Sequence, residues 1–305
     1  MFSSASETER RLRGAGYIPN SDTVMSVYLA ASLGKPILTE GPAGTGKTEL
    51  AKAIANATGR QLFRVQCYEG LDDAKLLYEW QYAKQLLYTQ MLRDQISELT
   101  SGSASLAAAV ERLAEQDDAF FSERFLEPRP LLAAIRSPDP AVLLIDEVDR
   151  AEEEIEALLL EVLAENQVTV PELGTIKATS APIVVLTSND TRELSEALRR
   201  RCLFLYLDYP SIEREVEILR SRVPELGAEL ATKVAETVAR ARSIDLKKTP
   251  SLSEAIDWAR ALVLLSADEL GPDAVNDSLG LLLKYSGDAE RARDELAPEL
   301  RAIGS

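Results

Sequence analysis

The chain predicts an α/β fold, a parallel sheet wrapped by helices, followed by a smaller all-helical domain. Three observations carry this. Short apolar runs with strand character alternate with helical stretches from Pro36 to Leu207. A glycine-rich segment, Gly41 to Thr48, joins the first apolar run to a helix-like stretch, as a strand-turn-helix unit requires. After Tyr209-Pro210 the strand signals stop and only helical patterns follow, which divides the chain into 1–209 and 210–305.

Five segments read as strands: Pro36 to Leu38, Leu62 to Gln66, Val142 to Ile145, Ile183 to Thr187 and Leu203 to Leu207. The uninterrupted run Val142-Leu143-Leu144-Ile145 suits a strand buried on both faces. In such a sheet, ligands gather at the carboxyl ends of the strands. Glu49 to Thr58 reads as the helix after the first turn. From Leu71 to Ser101 there is neither Gly nor Pro, which predicts one long helix or two short ones in tandem. Tyr78, Trp80, Tyr82 and Tyr88 within it are compatible with a packing stripe, a partner-binding surface or the strands of a hairpin. A loop over 101–105 and an Ala-rich helix over 106–116 follow. Glu152, Glu153, Glu154 and Glu156 open a helix to about Asn166, where their charge complements the dipole. They read as a solvated face, with an acidic docking face as the alternative. In the second domain, helices are expected over 212–222, 225–242, 251–266 and 273–285. The third has a marked start: Ser251 and Glu254 form a capping-box pattern after Pro250.

Composition narrows the chemistry. The 305 residues suffice for a sizeable core, and 34 Lys plus Arg against 50 Asp plus Glu leave a formal charge of −16. That balance disfavours a broad grip on nucleic acid or anionic membrane. No apolar run reaches the roughly 18 residues of a membrane span, and Met1 to Gly16 lacks the pattern of a secretory leader. A soluble cytoplasmic protein without stable membrane insertion is the expectation. Two cysteines, Cys67 and Cys202, lie in apolar strand-like surroundings and read as buried free thiols. The chain has no histidine, which removes Ser-His and Cys-His nucleophiles and every His-containing zinc site. Carboxylates, Lys, Arg and metal-bound water remain.

Gly41-Pro42-Ala43-Gly44-Thr45-Gly46-Lys47-Thr48 matches G-x-x-x-x-G-K-[ST], the phosphate loop. In that motif backbone N–H groups wrap the phosphates, Lys47 reaches the terminal ones, Thr48 ligates Mg²⁺ and the helix N-terminus adds its dipole. A nucleoside triphosphate, ATP with Mg²⁺, is the expected ligand. Val142 to Ile145 then runs into Asp146-Glu147, apolar through the sheet and acidic at its end. Asp146 would hold Mg²⁺ through its water shell, and Glu147 would polarise the attacking water beside the terminal phosphate. Neighbours on a strand point to opposite faces, so the strand end must turn for both to serve one site. Asn189, after Thr187-Ser188, would sit at the same edge and orient the water. Arg199-Arg200-Arg201 precede the last strand. They read either as a solvated helix end or, in a ring, as the source of an arginine supplied to a neighbour's terminal phosphate.

The ordered set GPAGTGKT, LLIDE, TSND and ALRRRC resembles the AAA+ ATPases, and within them the MoxR family, over nearly the whole chain. Gln66 to Ala74, Leu77 to Trp80 and Ser253 to Ala261 resemble the CoxD-like branch, known for carbon monoxide dehydrogenase maturation. The resemblance implies a five-stranded phosphate-loop fold with a helical lid, ATP hydrolysis and a homo-hexameric ring. It further implies a chaperone-like role on a client protein, often beside a von Willebrand A domain partner. It places a hairpin over Gln167 to Val170 and Ile176 to Ala178, with Gly174 at the turn. By motif position Arg201 is the first choice for the arginine finger and Arg200 the second, and Tyr17-Ile18 occupy the adenine-contacting segment. Two departures stand out. Ser251 stands where the usual second-sensor arginine would, so either that contact is missing or Arg260 substitutes from later in that helix, and the insertion over about 71–125 is longer than usual. The leading function is therefore a client-remodelling ATPase; an ATP-switched scaffold with slow turnover and a nucleic-acid motor or loader are the alternatives.

Overall fold

Two helices, α1 (Ala5–Gly14) and α2 (Ser21–Leu33), precede the first strand in the computed structural model, which describes residues 2–91, 125–170, 174–265 and 272–303. Asn20 caps α2 by accepting from the Thr23 N–H at 2.9 Å. Strand β1 (Ile37–Glu40) leads through the glycine-rich turn into α3 (Lys47–Thr58), and β2 (Gln61–Gln66) follows.

The 71–125 region departs from the expected long helix. A short α4 (Asp73–Leu77) gives way to β3 (Tyr78–Trp80) and then to α5 (Tyr82–Met91). Strand β3 pairs antiparallel with β4 (Leu126–Pro128), Tyr78 opposite Pro128 and Trp80 opposite Leu126. The partner lies far along the chain, so local helix propensity is overridden by a long-range ladder. Of the four aromatics, Tyr78 is buried and meets Trp80 edge-to-face at 6.0 Å, whereas Tyr82 and Tyr88 are exposed. The expected loop over 101–105 and helix over 106–116 lie outside the described residues.

Next come α6 (Pro130–Arg136), β5 (Ala141–Asp146), a 3₁₀ turn (Val148–Arg150) and α7 (Glu153–Glu165). Strands β6 (Gln167–Val170) and β7 (Gly174–Lys177) pair antiparallel, then β8 (Ile183–Ser188), α8 (Glu196–Arg201) and β9 (Leu203–Tyr206) complete this part. Within that pair Gly174 opens the second strand. The main sheet has five strands, all parallel, in the order β2-β5-β8-β1-β9. Every residue of β5 and β8 is buried, as expected of central strands covered on both faces. Alternation splits them between two layers. Leu38, Leu143, Ile145, Val184 and Leu186 pack with Leu131, Ile135 and Leu159, while Ile37, Val142, Leu144 and Val185 pack with Leu12, Leu50 and Ile54. The register sets Glu40 beside Ser188 and Gln66 beside Asp146, so these four ends share one edge of the sheet.

Beyond Pro210 the chain is helical: α9 (Ile212–Arg222), α10 (Ala228–Arg242), α11 (Leu252–Leu264), α12 (Pro272–Leu282), α13 (Ser286–Glu295) and α14 (Ala297–Ile303). Their core is separate and centres on fully buried Trp258, whose Nε1–H donates to Ser278 Oγ at 2.8 Å. The last two helices were not expected from sequence. Their buried positions are spread thinly, through Ala289, Ala292, Leu296, Leu300 and Ile303, so no strong apolar stripe announces them. Among the described residues no helix is long and apolar enough to cross a membrane.

Candidate nucleotide site

Two glycines show why the phosphate loop takes its shape. At Gly41 (φ +145°) a Cβ would stand 2.1 Å from the Leu207 carbonyl oxygen, and at Gly44 (φ +74°) one would stand 2.4 Å from Ser251 Cβ. The loop is thus squeezed between β9 and the start of α11, an approach that only glycine allows. Pro42, Ala43, Thr45 and Gly46 complete the turn, and Thr45 Oγ1 donates to the Pro42 carbonyl at 3.0 Å.

Lys47, in the first turn of α3, is buried, and its Nζ donates to the carbonyls of Gly41 and Pro42, each at 2.7 Å. Burial lowers its pKa, and the charges of Asp149, Asp146 and Glu147 oppose that shift. Three carboxylates therefore lie within electrostatic reach of the loop lysine. Thr48 Oγ1 donates to Asp146 Oδ1 at 3.0 Å, and Asp146, itself buried, also accepts from the Thr187 hydroxyl.

Glu147 meets the geometric demand the sequence posed. It sits in the left-handed region at φ +55°, so the chain turns as β5 ends and the two neighbouring carboxylates are no longer on opposite faces of a strand. The Thr187 hydroxyl holds the turn by accepting the Glu147 N–H at 2.9 Å. The Glu147 carboxylate is partly exposed and pairs with Arg150 Nε at 3.1 Å. Asn189 follows β8 directly. Its backbone N–H donates to Asp149 Oδ2 at 3.2 Å, and the same oxygen accepts the Thr191 N–H at 3.0 Å and the Thr191 hydroxyl at 2.6 Å.

Glu156 corrects the sequence reading of the acidic stretch, and Asp149 just before that stretch was not singled out from sequence. Glu152, Glu153 and Glu154 are exposed as expected, but Asp149 and Glu156 are buried. Glu156 accepts the Ser195 N–H at 3.0 Å and pairs with Arg192. Burial alone would raise its pKa; the Ser195 and Arg192 contacts outweigh that and lower it. Both carboxylates thus tie down the segment after Asn189. The run of acids hid them, although helical spacing sets Glu156 three residues before Leu159, on the face that Ile155, Leu159 and Val162 bury. Arg64 on β2 was likewise missed, and it donates to Asp146 Oδ2 at 2.6 Å.

The arginines divide. Arg199 turns inward to buried Glu40 at 2.6 Å. Arg200 is exposed and pairs with Glu196; Arg201 is exposed and donates to the Ala197 carbonyl at 3.0 Å. Neither of these two is drawn into the Lys47 site of its own chain.

A cavity of about 350 Å³ lies between the loop and the helical part, lined among others by Tyr17, Ile18, Thr45, Arg214, Arg222 and Arg260. Ile18 offers its carbonyl there, but Arg214 already donates to it through Nε (3.0 Å) and Nη2 (2.8 Å). Burial pushes the Tyr17 phenol up to about 12. Arg260 reaches the cavity and pairs with Asp257 at 3.2 Å, while Ser251 packs directly on the loop and the Leu252 N–H donates to the Gly44 carbonyl at 3.2 Å. Thr48 and Asp146 fit Mg²⁺: both present hard oxygens, and this ion commonly takes one or two protein ligands with phosphates and waters supplying the rest. Among the described residues no group of three or more His, Cys, Asp or Glu is arranged to hold a metal alone.

Protein NorQ of Paracoccus denitrificans is 24% identical over 210 residues, which cover 67% of this chain and 63% of that protein. The match therefore spans less than two thirds of NorQ. Two mutant forms of Thermotoga maritima RuvB superpose with TM-scores of 0.45 and 0.48. Their identities are 16% and 19%, over 98% and 86% of this chain and 72% and 67% of theirs. Residues 36–202 match the family described as AAA domain (dynein-related subfamily). That span runs from the first sheet strand to the residue before β9, and on it the chain belongs to the dynein-related AAA domain family.

Proposed function

We propose that this chain is an ATP-hydrolysing remodelling ATPase of MoxR type, with residues 1–209 as the nucleotide-binding domain and 210–305 as its lid. The observation that carries the reading is the convergence of Lys47, Asp146, Glu147 and Asn189 at one carboxyl edge of the sheet, with the lysine in electrostatic reach of both carboxylates. The family match and the partial likeness to NorQ support it. Residues 41–48 bind the phosphates through backbone N–H groups and Lys47. Thr48 and Asp146 would hold Mg²⁺, which when bound supplies neutralising charge to the terminal phosphates. Glu147 accepts a proton from the attacking water, and Asn189 orients that water. Tyr17 and Ile18 border the adenine. Arg201, or Arg200 after it, points away from its own site and serves the next subunit of a homo-hexamer.

The client is read as a protein rather than nucleic acid, since a net charge of −16 opposes a polyanion. Maturation of a metalloenzyme, beside a von Willebrand A domain partner, is the role the CoxD-like resemblance suggests, in the cytoplasm. The test is steady-state phosphate release by wild type and Glu147→Gln. Wild type should turn over, and the variant should keep nucleotide binding while losing about 10²-fold or more in rate. Near-zero rates in both would favour the ATP-switched scaffold and overturn the motor.

A further inference from the structure

We propose that Arg64 is a built-in cation of the metal site, neutralising Asp146 when Mg²⁺ is away and competing with it for the same carboxylate. The inference rests on the nucleotide-site reading and concerns its regulation. Asp146 is buried with 4% of its side chain exposed, so its charge needs a partner. The partner comes from the neighbouring strand. In the β2–β5 register Gln66 lies beside Asp146, and Arg64 reaches the carboxylate from two residues before Gln66. Its Nη2 lies 2.6 Å from Asp146 Oδ2 and 2.8 Å from Gln66 Oε1. Gln66 therefore holds the guanidinium at that point.

The contact occupies one of the two oxygens Asp146 could offer a metal. Thr48 Oγ1 lies 3.0 Å from Oδ1 and 3.2 Å from Oδ2, the Thr187 hydroxyl donates to Oδ1, and Arg64 donates to Oδ2. Arg64 is also built to leave. Half of its side chain is exposed, at 49%, and it borders an open cleft with Tyr68, Lys75 and Arg129. A long stem lets the head swing into water without disturbing the packed strand. An arginine stays charged at any working pH, so the exchange is of one cation for another. Arg64 would swing out when the site holds Mg²⁺ and return when it does not, keeping a cation directly on the buried Asp146 carboxylate.

The test uses the full chain loaded with ADP and titrated with Mn²⁺, free metal being read by its paramagnetic resonance signal. Arg64→Gln should bind Mn²⁺ about tenfold more tightly than wild type, the equivalent of about one pKa unit of charge interaction. Arg64→Lys, which keeps the charge, should stay near wild type. Without nucleotide, the melting temperature of Arg64→Gln should fall, and added Mn²⁺ should raise it more than in wild type. Unchanged or weaker Mn²⁺ binding in Arg64→Gln would overturn the proposal, as would Arg64→Lys behaving like Arg64→Gln. Fluorescent ADP binding separates the two layers. A wild type that binds no ADP sinks the nucleotide-site reading, whereas normal ADP binding with unaltered metal affinity sinks only the role of Arg64.

Discussion

Asp149 concentrates three donors on one carboxylate oxygen: the N–H groups of Asn189 and Thr191 and the Thr191 hydroxyl. Those donors begin the segment that follows β8, so the position of Asn189 depends on a residue three places after Asp146 in another strand-end turn. Asp149 is buried, and removing it would leave the three donors without their acceptor. Asp149→Ala should therefore cost about 2–4 kcal/mol in urea unfolding, and Asp149→Asn, which keeps an acceptor, should cost less. Equal losses in both variants would mean that charge, not hydrogen bonding, does the holding. The cysteines need no such account. Both are free, but only Cys67 is buried as expected and Cys202 is partly exposed; desolvation pushes both thiols up to about 12, so they stay protonated near neutrality.

Among elements, the segment joining α10 to α11 decides how the helical part meets the loop. Arg242 closes α10 with a bidentate pair to Glu215 on α9, at 2.6 and 2.8 Å. Its Nε donates to the Pro250 carbonyl at 3.0 Å, and its guanidinium stacks over the Tyr209 ring at 4.3 Å. One side chain thus joins two helices, the crossing from the sheet and the residue before Ser251. Ser251 then starts α11 with a complete capping box and rests on Gly44. Glu215 is fully buried, and burial raises its pKa although Arg242 opposes the rise. Truncating one partner strands the other, so Glu215→Ala should cost about 3–5 kcal/mol, read as a lower urea midpoint. A change within about 0.5 kcal/mol would mean that Arg242 finds water or another acceptor.

For the whole molecule, contacts that tie the helical part to the sheet part include Arg13 with Glu217, Arg214 with the Ile18 carbonyl, Arg222 with Glu49, and Leu252 N–H with the Gly44 carbonyl. Each lands on the N-terminal segment, on the loop or on the helix behind it. Arg200 pairs with Glu196 and Arg201 donates to the Ala197 carbonyl, so neither is engaged with Lys47 of its own chain, and on the proposed reading one of them serves another copy. Arg201→Ala should bind fluorescent ATP like wild type yet release phosphate about 10³-fold more slowly in a sized oligomer. Equal turnover in a verified oligomer would move the role to Arg200 or remove it.

The sequence by itself determined the sheet and the order of its motifs. Apolar runs located all five strands to within a few residues, because a strand covered on both faces must be continuously apolar and a phosphate loop needs glycine where other backbone crowds it. The residues it named for the proposed site, Lys47 and Thr48, Asp146 and Glu147, come from two short motifs, each readable locally. What depends on distant partners was not legible. Tyr78 to Trp80 became a strand only because Leu126 to Pro128 pairs with it, and Glu156 became a buried anchor only because Arg192 and Ser195 meet it. Arg64 is an ordinary edge-strand residue until the register brings it to Asp146. The reason is physical: period and turn chemistry act over a few residues, whereas the pairing of buried charges is fixed by which chain segments the tertiary fold sets side by side.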